Sequence, residues 1–358
     1  MQQFIPSFII AYSNSDFTNP HEALLLNEPE DRTANFTHMG VQYWGLESKR
    51  HTATRLDAQR KKMYYQHDAC QWLSIGFKQR AELSSLKVST KWFTGNQVRA
   101  ISVVLIDEMS GTECEVISRK ILAPDKDHHF EFEGTVATEC LIRMYCEGGI
   151  SRINFFGKKT DEQMPLRSNV LSKAKITHVS NQHYGHPKMA VEGCRKEMHM
   201  VGWESARTGF GEQAIFHLAS PTQIDEIVVD TYLHRLNPPL SCHVFGLLHN
   251  ESKRIEECLL QLPKWTLRFE DGTQVSPTNF QDYMLNQEYL KEPAPNSSNF
   301  EILLDHPTGA PWKAILPFEA LSPDTYHRFT EFENEGVFSH LLYMHYPNGG
   351  IHGLKVFD

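Results

Sequence analysis

The chain is short of several features that would place it quickly. None of its 358 residues opens an apolar run long enough to span a bilayer, which excludes a transmembrane helix and a membrane partner of that kind. Long runs of Lys and Arg are missing as well, and the net charge is −9. A nucleic-acid surface concentrates positive charge on one face, so no nucleic-acid partner is expected. The small basic groups Lys49-Arg50 and Arg60-Lys61-Lys62 suit either a small anion or a solvated edge. The seven cysteines are odd in number, scattered, and form no CxxC pair. The apolar start Phe4 to Tyr12 lacks a basic leader and a small-residue cleavage site. Together these predict reduced thiols and a cytoplasmic protein. No phosphate-cradling P-loop or GxGxxG element occurs, so a nucleotide cofactor is not expected, and no GxSxG elbow occurs either. The 19 histidines include His128-His129 and the pair His183 and His186, but no zinc spacing supported by cysteine. The C-terminal Lys355-Val356-Phe357-Asp358 carries no peroxisomal or retention address.

What the sequence does contain is itself, twice. Hydrophobic residues make up 40% and aromatic residues 11%, enough for two cores, and the length suits two domains. Leu122-Ala123-Pro124-Asp125, His128-x-Phe130 and Tyr145-Cys146-Glu147-Gly148-Gly149-Ile150 follow one another in the first half. Leu321-Ser322-Pro323-Asp324, His327-x-Phe329 and Tyr346-Pro347-Asn348-Gly349-Gly350-Ile351 follow in the same order in the second. Nearer the start of each half, Gly45-Leu46-Glu47-Ser48-Lys49-Arg50 parallels Gly202-Trp203-Glu204-Ser205-Ala206-Arg207. A weaker match joins Thr90 to Asn96 with Thr231 to Asn237. Three blocks in one order mark an internal repeat.

The segments between the blocks read as β. Leu83 to Thr90, Ile101 to Ile106, Leu141 to Tyr145 and Ile224 to Thr231 are short, β-branched or aromatic, and bounded by turn residues. Each sheet must bury one face, so the expected fold is all-β: two tandem antiparallel jelly-roll β-sandwiches, residues 1–165 and 166–358. The linker falls near Lys158 to Lys175. Spacing between blocks predicts a long insertion in the second half near 250–310, either functional or a tolerated surface excursion. The Gly-Gly pairs read as turns between neighbouring strands, where positive φ costs glycine nothing.

At these blocks the chain resembles the allantoicase family, enzymes that release urea from allantoate to leave ureidoglycolate. The family's early Gly-Trp-Glu-Thr/Ser-x-Arg signature is matched at Gly202 to Arg207, and at Gly45 to Arg50 with Leu46 for Trp. Its Thr-x-His-Phe-x-Gly-Asn element survives as Thr90, Phe93 and Gly95-Asn96, and in the second half as Thr231 and Asn237. His67-Asp68 matches its His-Asp element, with Glu212-Gln213 at that place in the second half. The family's element histidine is Trp92 or Leu233 here, and the family Arg and Asn before the Gly-Gly turn are Leu141 and Arg143, or Leu342 and Met344. The scaffold is kept better than the polar positions.

The resemblance implies a urea-releasing hydrolase acting on allantoate or a related ureido or guanidino acid. Such a reaction needs a proton for the departing nitrogen and an activated water. Glu47, Glu204, His67 and Asp68 are the candidate catalytic groups. Arg50 and Arg207, whose forks match a carboxylate, and Asn96 and Asn237 are the candidate substrate-binding groups. Each has a plainer alternative: a Glu–Arg brace across a turn, a loop His-Asp pair bonded to backbone, or Asn as a turn former. His67 and Asp68 also suit a divalent ion, so no cofactor is assigned for certain and a divalent metal such as manganese stays open. The site is expected in loops at one end of each sandwich, divided unequally between the halves. His128 and His327 are expected to cap their Pro-Asp turns. The expected partner is a small ureido acid, and a homo-oligomer is left open. Two competing classes remain: a non-catalytic β-sandwich that binds carbohydrate or another small ligand, and an assembly protein.

Overall fold

The computed structural model describes residues 2–37, 40–41, 44–66, 68–162, 167–195, 201–207, 211–250, 255–272, 274–276 and 300–358. Contacts divide the chain into unit 1, Met1–Pro165, and unit 2, Leu166–Asp358. Each is built from antiparallel strands with little helix.

In unit 1 two 19-residue strands, Gln71–Ser89 and Asp127–Tyr145, pair along their whole length. Leu73, Ile75, Leu83, Leu86 and Val88 are among the buried residues of the first, so its pattern follows the two-residue period of a half-buried strand. Register shifts between Glu131 and Thr135, and between Ala137 and Glu139, break the ladder midway. Such bulges bend a strand and raise its twist. Arg152–Lys159 and Gln3–Phe4 extend the sheet beyond one half of these strands. Ser7–Tyr12, Ala100–Asp107 and Thr112–Ile121 extend it beyond the other. The two halves close on one apolar core, in which Phe77 meets Phe155 edge-on at 5.0 Å.

Unit 2 makes the same layers from separate strands. A five-stranded sheet runs in the order Lys175–Val179, Glu212–Gln223, Val337–Tyr346, Ser241–Leu248, Trp312–Ala320. A three-stranded sheet runs Tyr326–Phe329, Glu226–Asp230, Gly353–Phe357. Phe216, Val244 and Tyr343 from the first and Ile227, Val229, Leu354 and Val356 from the second share one core.

The insertion is neither a bare loop nor a surface excursion in its described part. Residues Ile255–Leu259 form a helix, and Lys264–Phe269, Gln274–Val275 and Phe300–Asp305 form a small sheet. Cys258, Trp265 and Leu267 pack over Ile215, Phe245, Trp312, Leu342 and Met344 on the outer face of the five-stranded sheet. That sheet is therefore buried on both faces, which is why Ser241–Leu248 is buried without alternation. The Gly-Gly pairs also differ from expectation. They do not join neighbouring strands: Asp127–Tyr145 and Arg152–Lys159 lie on opposite sides of Gln71–Ser89. Each pair carries the chain across to the other side of that strand or, in unit 2, from one sheet to the other.

Candidate active site

At the end of each unit where the Gly-Gly pair lies, four segments meet in the same way. Thr90 closes a turn by donating its hydroxyl to Ala123 O at 2.7 Å, and Thr231 donates to Ser322 O at 2.7 Å. The next turn residues, Trp92 and Leu233, take positive φ of 71° and 62°. That conformation is uncommon for bulky side chains. It is held here by the carboxylates of Asp125 and Asp324, which accept the Trp92 and Leu233 amides. His128 bonds Ala123 O, and His327 accepts from the Ser322 amide, so both histidines bind the Pro-Asp turn.

This turn delivers an asparagine to a glutamate far away in sequence. Asn96 Nδ2 donates to Glu47 Oε1 at 2.8 Å. Asn237 Nδ2 donates to Glu204 Oε1 at 2.9 Å. Glu47 pairs with Gly149 and Glu204 with Gly350 in short two-residue ladders. The following serines, Ser48 and Ser205, exchange bonds with Gly148 and Gly349, whose φ is 138° in both cases. The second glycine allows the close approach: a methyl group on Gly149 would overlap the Phe93 ring, and one on Gly350 the His234 ring.

The two glutamates differ in their surroundings. Glu47 is 5% exposed, and its Oε2 is buried with no hydrogen-bond partner. Burial raises its carboxyl above the usual carboxylate range, against the opposing pull of Asn96 and the Arg50 charge. It lines a cavity of about 430 Å³ with Arg50, Asn96, Glu147 and Arg99. Glu204 is half-buried and lines a cavity of about 1140 Å³ with His183, Tyr184, Arg207 and His234. Arg50 and Arg207 are both exposed at these cavities.

The structure thus brings together Glu47, Arg50 and Asn96 in unit 1, and Glu204 and Arg207 with Asn237 bound to Glu204 in unit 2. Asp68 is exposed and joins neither group. His67 lies outside the described residues. Glu212 is not the counterpart of the His-Asp element: it pairs with His345 as Gln71 pairs with Met144, so it matches Gln71. Arg99 and His234 line the cavities and were not singled out from the sequence. Their signal is weak, because Arg99 has Leu240 at the matching place and His234 has Phe93.

Among the described residues no three His, Cys, Asp or Glu side chains gather as a metal would require. Glu47 shares its cavity with Glu147 but also with Arg50 and Arg99, and Glu204 shares its own with His183, His234 and Arg207, so neither set fits a divalent ion among the described residues. None of the seven cysteines is disulfide-bonded.

A model of the allantoicase repeat matches residues 2–160 and again 168–358. The chain belongs to the allantoicase repeat family. A probable allantoicase of Photobacterium profundum is 24% identical over 293 residues, 77% of this chain and 74% of that one. The allantoicase of Saccharomyces cerevisiae is 23% identical over 266 residues, 67% of this chain and 73% of that one. A solved allantoicase structure aligns over 99% of this chain and 90% of its own, with 18% identity and a TM-score of 0.34. Among the described residues of this allantoicase-family chain, no helix is long and apolar enough to cross a membrane.

Proposed function

We propose that the chain is a hydrolase of the allantoicase type, releasing urea from allantoate to give ureidoglycolate or acting on a related ureido or guanidino acid. The observation that carries this reading is the duplicated Asn-to-Glu hydrogen bond, at the same place in both repeats of a family-matched chain. In the reaction a C–N bond is exchanged for a C–O bond. Water oxygen joins the carbon, and the departing ureido nitrogen takes up a proton. A carboxyl group with one oxygen fixed by an amide and the other left open can take the water's proton or supply the nitrogen's. Arg207, on the rim of the unit 2 cavity, offers a two-pronged donor for the substrate carboxylate, and Arg50 and Arg99 do so in unit 1. Unpaired thiols fit a cytoplasmic setting for this work.

The test is urea release from allantoate by the purified full chain, after chelation and with manganese restored. Steady turnover supports the reading, and a dependence on manganese would place a metal in the reaction. No turnover on allantoate or on a panel of ureido and guanidino acids, in folded protein, overturns it and leaves a ligand-binding sandwich.

A further inference from the structure

The repeats differ at the residue beside the Asn–Glu bond. Unit 1 has Phe93, unit 2 has His234, and each ring lies against the second glycine of its Gly-Gly pair. Phe93 has no polar atom to offer Asn96. His234 has two, and they are placed differently. Its Nδ1 stands 3.3 Å from Asn237 Oδ1, while Asn237 Nδ2 donates to Glu204 Oε1 at 2.9 Å. An amide that gives its N–H to a carboxylate presents its oxygen on the other side. The proton of the neutral imidazole is therefore on Nδ1, donating to that oxygen. Nε2 keeps its lone pair, buried and without a hydrogen-bond partner.

A ladder pair in the sheet of each unit differs in the same direction. Matching ladder positions hold Gln71 and Met144 in unit 1 but Glu212 and His345 in unit 2. Gln71 is satisfied by the Ser13 hydroxyl at 2.7 Å. Glu212 Oε1 and both His345 nitrogens are buried without partners. Orphaned buried polar groups cost stability, and unit 2 keeps several where unit 1 has Gln71 and Met144.

We propose that His234 is a positioning residue for the reaction in unit 2: its Nδ1–H fixes the Asn237 amide with Nδ2 toward Glu204, and this His–Asn–Glu chain makes unit 2 the catalytic unit. The inference rests on the hydrolase reading above. An asparagine held only by the carboxylate can turn away, and turned over it would present its oxygen to Glu204. With His234 in place, that orientation would set its N–H against the imidazole N–H and lose both bonds. Unit 1, with Phe93, has no such clamp, and its glutamate is correspondingly enclosed in the smaller cavity.

The test uses three variants of the full chain. His234→Phe installs the residue that unit 1 already accommodates against the equivalent glycine, so ring volume is kept. His234→Asn places an amide nitrogen near Nδ1, and His234→Gln places one near Nε2. With allantoate as substrate, His234→Phe should lower kcat about tenfold, the worth of roughly one hydrogen bond, with KM little changed. His234→Asn should recover most of the loss and His234→Gln little of it. Active, folded His234→Phe with unchanged kcat overturns the proposal. So does recovery by Gln in place of Asn, which moves the role to Nε2. Should His234→Phe fail to fold, the comparison of Asn with Gln decides in the same way. Absence of turnover in the unmodified chain overturns the hydrolase reading, and the proposal with it, whereas the other failures leave that reading intact.

Discussion

Lowering the pH from about 7 to about 5 puts charge on imidazoles in an unfolded chain while unit 2 resists charging its own. Burial holds His243 and His340 down to about 4 and His345 down to about 3. It also lowers His234, His327 and His352, and all of these lie in unit 2. A histidine whose folded pKa lies below its unfolded value binds more protons unfolded. Its contribution to stability is complete above about pH 6.5 and is lost as pH falls toward the folded value. For a group held at about 4, the loss by pH 5 is about 2 kcal/mol. The three strongly shifted histidines then remove on the order of 6 kcal/mol, comparable with the whole stability of an ordinary domain. The raised carboxyl of Glu212 works in the opposite sense and offsets part of this. In unit 1, Asp107 and Glu147 are held below the usual carboxylate range, so their support fails only at lower pH, near 4 and under. Unit 2 should therefore open first between pH 6.5 and 4.5. Calorimetry across that range, with limited proteolysis to identify which half is cut, measures it. Cleavage confined to unit 1, or a unit 2 midpoint unmoved between pH 7 and 5, would refute the reasoning.

Three further outcomes follow from the same geometry. Glu204→Gln should cost about a hundredfold or more in urea release, the usual scale for an acid–base group, and Glu47→Gln about tenfold or less; equal small losses would sink the division of labour. Gly350→Ala should destabilise unit 2 by about 1–3 kcal/mol in a denaturant titration, because the new methyl overlaps the His234 ring. Gly95→Ala, which faces open space, should change nothing beyond about 0.5 kcal/mol. Arg195→Met leaves Asp230, bonded to it at 2.8 Å, as an unpaired buried charge. The melting curve should show a loss of about 3–5 kcal/mol, and a neutral result would mean that water reaches Asp230 once the guanidinium is gone.

Much of the protein can be read along the chain, because repetition and strand patterning are properties of local order. The Glu-Ser, Thr-to-Asn, Pro-Asp and Gly-Gly blocks, their order, and the all-β character all stand in the sequence. So does the choice of Glu47, Arg50, Asn96, Glu204, Arg207 and Asn237, since duplicated polar residues beside duplicated turns are visible without coordinates. The bond from Asn96 to Glu47 is another matter. It spans 49 residues and exists because Thr90 and Asp125 hold a left-handed turn against the Gly-Gly crossing. The insertion could be located by spacing but not assigned its task, because covering the outer face of a sheet is a relation between distant apolar surfaces. His234, Glu212 and His345 looked like ordinary members of a histidine-rich, acidic chain. Only packing decides which polar atoms lose their water, and only the fold sets a buried imidazole beside the amide that holds Glu204.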